Sequence, residues 1–352
     1  MALFTVTEHD RRVYEEELRG FLPEKIFDVH THVWLKEFFP PAPLAPGETK
    51  RTVTWPSLVA ADNSIEDLQE TYRLLLPGKE VRALMFSNSG RSREANDYVA
   101  QASRRTGFPA LYFSAPEQLP EELERCIREG GFLGIKGYLN LSPKYLPEAE
   151  IRIFDFFPKN QLKKMDEMGA IVMLHIPRSG RLKDPVNLAQ IMEIEQEFPN
   201  IRLIIAHIGR AYTHQDIGNA FETLDRAPGL LYDFTANCCE YAITEVIRHA
   251  GVKHVLYGTD MPILRMRMRR MEENGTYINL VPPGLYGDPK QDSHLREVSP
   301  EEAETITFFL YEELLAFKRA AAALDLSREN VADIMCNNAL RMIEDARRSI
   351  YG

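Results

Sequence analysis

The sequence predicts an α/β protein: a closed (β/α)8 TIM barrel with an extra N-terminal helix and extra C-terminal helices. Three observations predict it. Eight short apolar runs alternate with charged segments of helical period along the 352 residues. No glycine-rich phosphate loop follows an early run, which argues against the rival open, doubly wound sheet. Four histidines and an aspartate sit at the C-terminal ends of the runs, where barrels assemble their sites.

Taken in order, residues 8–20 (EHDRRVYEEELRG) read as the extra helix. The eight runs are KIFDVHTH (25–32), VRALMFS (81–87), PALYFSA (109–115), FLGIKGYL (132–139), AIVMLHI (170–176), IRLIIAHI (201–208), LLYDFTAN (230–237) and VLYGTDM (255–261). Most are joined by helical segments such as SIEDLQETYRLLL and PEELERCIRE. Two connections are long: the proline-rich 33–63, containing FFPPAPLAPG, and 263–300 after the eighth run. Connections of that length are usually functional lids or disordered segments. SPEEAETITFFLYEELLAFKRAAAALDL then reads as one long helix, with Ser299 and Glu302 at capping-box spacing. SRENVADIMCNNALRMIEDARRS reads as a last helix with Ser327 as its N-cap. The expectation is one domain over 1–352, with strands in 25–262, a loop over 263–300 and helices over 301–350.

Composition narrows the function classes. Hydrophobic residues are 44%, charged residues 27%, and the formal net charge is −10. That profile is of a soluble globular chain and argues against a nucleic-acid partner. No apolar run approaches a membrane span, and the N-terminus lacks a signal-peptide core. The four cysteines form no C-x-x-C pair, so free thiols and a cytoplasmic setting are expected.

The chemistry lies in the polar residues of the strands. Side chains two apart on a strand share a face, so His30 and His32 project together; on a helix they would diverge. Asp28 is expected on the same face, as a carboxylate that hydrogen-bonds a ligand histidine. His175, His207 and Asp260 end the fifth, sixth and eighth runs. Packing alone gives a core histidine no reason to prefer strand ends. Lys136, ending the fourth run, is expected to face inward, where an isolated ammonium is costly. Three readings of it stand open: a lysine carboxylated to bridge two metals, a cation that pairs with a substrate anion, and an ordinary salt bridge.

H-x-H on strand one, Lys136 on strand four, His175 on strand five, His207 on strand six and Asp260 on strand eight together resemble the amidohydrolase superfamily. The CNNALRMI ending is similar to that of its amidohydrolase-related branch, which includes aminocarboxymuconate-semialdehyde decarboxylase. The resemblance implies that His30, His32, His175 and Asp260 hold one metal, with His207 acting on the substrate. In two-metal members Lys136 and His207 hold the second ion. The tail and the HIGR context favour one ion. It also implies association of copies, since dimers are common among such barrels.

Imidazoles with one carboxylate suit Zn2+, with Mn2+ the alternative. Bound water then ionises with a pKa of about 7, Asp260 accepts its proton, and His207 polarises a carbonyl. The expected function is therefore a metal-dependent hydrolase acting on an amide, ester or lactone. The alternatives are a non-oxidative decarboxylase, which would use the same ligands, and a non-catalytic metal-binding barrel. Asp260 and His207 would be the first residues lost in the last case, and both are present. An anionic small-molecule substrate is expected because Arg178, Arg181, Arg210 and Arg265 each follow a site residue on the loop side. Arg178 and Arg210 lead that group. Trp34 and Tyr138 are further substrate-contact candidates, and Asn237 a weaker one.

Overall fold

The computed structural model describes residues 3–39, 56–88, 92–288 and 292–352. The stretch 40–55, which holds most of the proline-rich connection, lies outside them.

Each predicted run contains a strand: β1 (Lys25–His32), β2 (Glu80–Phe86), β3 (Tyr112–Phe113), β4 (Gly134–Lys136), β5 (Ile171–Leu174), β6 (Arg202–Ile205), β7 (Leu231–Asp233) and β8 (Val255–Leu256). Neighbours from β3 to β8 pair in parallel and in sequence order, as do β1 and β2. Backbone hydrogen bonds cross both remaining seams. The Val29 amide donates to the Tyr257 carbonyl at 2.9 Å, and the Met85 amide to Pro109 at 2.9 Å. The ring of strands is thereby complete. Crossover helices cover the outer face, so strands such as β5 are buried along their whole length and read as continuous apolar runs.

The crossover helices start where the sequence places their caps. Ser64, Ser92 and Asp184 accept backbone N–H groups at the starts of Ile65–Leu75, Arg93–Thr106 and Pro185–Glu197. Gly258 is required where the chain leaving β8 crosses β1. A Cβ there would lie 2.2 Å from Thr235 Oγ1 and 2.7 Å from His30 Cβ.

Two expectations change. The single long helix is two: Pro300–Ala303, capped by Ser299, and Phe309–Ala323. Between them the β-branched run Thr305-Ile306-Thr307 turns away. The Thr307 hydroxyl donates to Asp10 at 2.8 Å, and Phe308 bridges to Arg267 as extended chain. The second change concerns 263–300, which is not an open loop. Its described residues form β9 (Arg269–Glu273), β10 (Thr276–Val281) and β11 (Leu295–Glu297), a small three-stranded sheet. Arg270 ties that sheet to the barrel: it donates to the Ala236 carbonyl at 2.7 Å and lies over Tyr212, Tyr277 and Phe309. Ser327 caps the last helical segment, as its position predicts.

Candidate metal centre at the mouth of the barrel

The site grows from irregular backbone at the strand ends. The β1–β2 register shifts between Asp28 and Thr31, an irregularity of the kind that re-aims side chains at strand ends. His207, Ile208, Gly209 and Arg210 all have φ between +48° and +59°, and Asp260 has φ +51°. Left-handed φ costs a non-glycine residue about 1 kcal/mol or more, so each needs local support. His207 has it: its amide donates to Asp233 Oδ1 at 2.7 Å and its Nδ1 to the Thr235 carbonyl at 2.9 Å. The Asp260 amide donates to the His30 carbonyl at 2.6 Å.

These supports also select the tautomers. A carbonyl oxygen only accepts, so Nδ1 carries the proton in His207 and in His32, whose Nδ1 donates to the Ser87 carbonyl at 2.9 Å. His30 Nδ1 faces Asp233 Oδ2 at 3.0 Å. Three imidazoles therefore present Nε2 to the interior. His32 Nε2 lies 3.2 Å from Asp260 Oδ1, and His30 Nε2 lies 3.7 Å from the same oxygen. Lone pairs this close repel unless a cation, a proton or a metal ion, sits between them. The donor set consequently fits a divalent ion, and His30, His32 and Asp260 form one ligand group within 4.8 Å.

A second group, His30, His207 and Asp233, is equally tight. Asp233 belongs to it as a support, because both its oxygens are already occupied by His30, His207 and Thr235. His175 joins neither group among the described residues. Its ring packs edge-on against His207 at 5.3 Å and at a tilt against Tyr138 at 4.6 Å, and its Nδ1 has no hydrogen-bond partner among them.

Burial governs the electrostatics. It pushes the basicity of His30, His175 and His207 down, with Lys136 adding to the effect at His30 and Arg210 at His175. Burial raises the Asp260 carboxyl, but a proton on His32 Nε2 would bridge to it, and this with the nearby imidazoles more than offsets burial, leaving it at about 2. Burial also takes Lys136 down to about 8 and Tyr138 up to about 12.

The remaining expectations divide. Asp28 does not touch a histidine ring. It accepts the amides of His30 and Thr259, each at 2.9 Å, and the Tyr72 hydroxyl, so it braces the β1–β8 crossing instead. Its place in the ring's hydrogen bonding is taken by Asp233, which the sequence reading missed; an acid inside the apolar run of β7 was the available signal. Arg178 is engaged by Asp184, the N-cap of Pro185–Glu197, and Arg181 by Asp216. Arg265 is buried against Asn63 and Phe4. Arg210 has no ion pair among the described residues; it donates to the Pro177 carbonyl at 3.3 Å. Trp34 is buried, with its indole N–H on the Ala61 carbonyl at 3.1 Å. Asn237 holds the backbone at Ala211 and Cys239.

The sequence model of the amidohydrolase family matches residues 27–291, from the start of the H-x-H strand into the segment after β10. The chain belongs to the amidohydrolase family. The γ-resorcylate decarboxylase of Polaromonas sp. (strain JS666) is 35% identical to this amidohydrolase over 23% of its chain, a match spanning 29% of that relative's length. A dihydroxybenzoic acid decarboxylase from Polaromonas sp. JS666, solved with manganese and the inhibitor 2-nitroresorcinol, superposes at TM-score 0.54 and 14% identity. It covers 94% of this chain and all of its own. The 5-carboxyvanillate decarboxylase of Novosphingobium aromaticivorans, complexed with manganese and a nitrobenzoic acid, reaches 0.52 at 14% identity, covering 93% of this amidohydrolase and 97% of itself. At these identities the likeness is one of fold. Among the described residues, no helix of this amidohydrolase is long and apolar enough to cross a membrane.

Proposed function

We propose that this amidohydrolase is a metal-dependent decarboxylase of a small hydroxylated aromatic carboxylic acid. The match to γ-resorcylate decarboxylase carries the choice, because the ligand set serves hydrolysis and decarboxylation equally. It reverses the order expected from sequence, where hydrolysis came first. His30, His32 and Asp260 would hold the ion, with His175 and His207 beside them. A bound divalent ion would supply Lewis acidity at a substrate oxygen, and the manganese of the fold neighbours supports Mn2+ alongside Zn2+.

The residues of this chain do the rest. His207, kept neutral by burial and with its Nδ1 proton engaged, offers Nε2 to the proton of a phenolic hydroxyl. The proton passes from Nε2 to the ring carbon that carries the carboxylate, giving a dienone. The bond from that carbon to the carboxylate then breaks, carbon dioxide leaves, and the electron pair restores the aromatic ring and the phenolate, which takes a proton from water on release. Asp260, on the mouth side, keeps the second imidazole face polar and oriented. Arg210 and Tyr138, grouped around His175, bind the anionic end of the substrate.

Incubating the Mn2+-loaded protein with a panel of hydroxybenzoates and aromatic lactones tests this. The expected products are carbon dioxide and the parent phenol from at least one hydroxybenzoate. Ring opening of a lactone with no gas release from any acid would restore hydrolysis.

A further inference from the structure

Lys136 is 1% exposed, and its ammonium has no hydrogen-bond partner among the described residues. No carboxylate among the described residues lies within ion-pair distance of it, although Asp233 and Asp260 act on it through space. Its Nζ sits 5.3 Å from the Phe86 ring centroid. His32 and His30 pack on that ring at 4.6 and 5.2 Å, so the ammonium, the ligand imidazoles and the phenyl ring form one cluster. An ordinary salt bridge, one of the three readings open from sequence, is therefore absent. A carboxylated lysine would place a third anion beside Asp233 and Asp260. A buried, unpartnered cation is instead a built site for an anion that arrives with the substrate.

Which anion follows from the chemistry of the proposed reaction, on which this inference rests. Arg210 and Tyr138 already take the carboxylate in the proposed reaction, and a second cation on the group that is lost would over-stabilise the ground state and slow bond breaking. Charge leaves the carboxylate and collects on the ring and its phenolic oxygen as carbon dioxide departs. A fixed ammonium in a dry site acts most strongly on charge that develops there. We propose that Lys136 remains a free ammonium and is the oxyanion-stabilising residue, taking the phenolate oxygen of the substrate at Nζ.

The test uses 2-nitroresorcinol, whose phenol and phenolate absorb differently, with wild type, Lys136→Met and Lys136→Gln, each metal-free and Mn2+-loaded. Wild type is expected to lower the pKa of the bound phenol by at least one unit even without metal. Both variants lose that shift and bind the phenolate at least tenfold more weakly, without a lower melting temperature. With an active substrate they lose kcat with KM changed less than threefold. Nitrophenolate bound equally well by wild type and both variants would overturn the assignment, as would absence of binding to wild type. So would a carbamate carbon in the 13C spectrum that disappears in Lys136→Met, or a melting temperature that falls in both variants while the bound phenol's acidity is unchanged. If wild type lowers the phenol's pKa but releases no carbon dioxide from any hydroxybenzoate, the oxyanion assignment stands and the decarboxylase reading fails.

Discussion

Asp233 Oδ2 lies 3.0 Å from His30 Nδ1 while its Oδ1 accepts the His207 amide at 2.7 Å, so one carboxylate orients two imidazoles. In Asp233→Asn the amide can offer an N–H to one of these donors, which turns a hydrogen bond into a clash of protons. Outer partners of this kind are worth roughly 10–100-fold in metal affinity. Titration of the variant with Mn2+ by calorimetry should show a loss in that range. Unchanged affinity would remove Asp233 from the site.

Asp260 faces both His30 and His32 through one oxygen. Asp260→Asn should reduce kcat by about 100-fold or more, because it removes an anionic ligand and a group in reach of the reacting proton. Steady-state kinetics at saturating Mn2+ checks this. A variant restored to wild-type kcat by excess metal would leave Asp260 as a ligand alone.

Arg178 and Arg210 looked alike in sequence, and the structure separates them. Arg178→Met breaks a partly exposed pair with Asp184, at a cost of about 1 kcal/mol or less, and should leave KM within twofold. Arg210→Met removes a cation beside His175 and Tyr138 and should raise KM by about tenfold or more. The reverse pattern would move the substrate's anionic end to the other arginine.

Glu313, on Phe309–Ala323, accepts the Asn237 amide with one oxygen and has no partner on the other among the described residues. Burial raises its folded-state pKa well above the ordinary 4.5. A carboxyl raised in the folded state contributes stability that is full below its unfolded pKa and is lost as pH rises toward the folded value. Glu313→Gln cannot ionise. Wild type should therefore lose stability relative to it from about pH 4.5 upward, by roughly 2 °C in melting temperature per pH unit. Melting curves of both proteins at pH 4.5, 6 and 8 measure the difference. Parallel curves would mean that Glu313 stays ionised.

The parts of the account legible in sequence are those written in one dimension. Apolar runs alternate with helical segments, and H-x-H, His175, His207 and Asp260 end their runs, so the barrel and its mouth follow from order alone. Asp233 was not legible as a partner of the site because its meaning lies in His30, 203 positions away, with β8 between them in the closed sheet. The fate of Asp28 depends on Thr259, whose proximity is tertiary, and that of Arg178 on Asp184, six positions on, at the start of the next helix. The helix predicted across Thr305–Thr307 failed for a related reason, since Asp10 and Arg267 capture that segment as extended chain.

The central claim, that the barrel mouth holds one divalent ion through His30, His32 and Asp260, is tested most directly by elemental analysis of the purified protein after reconstitution with Mn2+ and desalting. The account predicts about one ion per chain in wild type and none in the double variant His30→Gln/His32→Gln. An equal metal content in both proteins, or no metal in wild type, would contradict it.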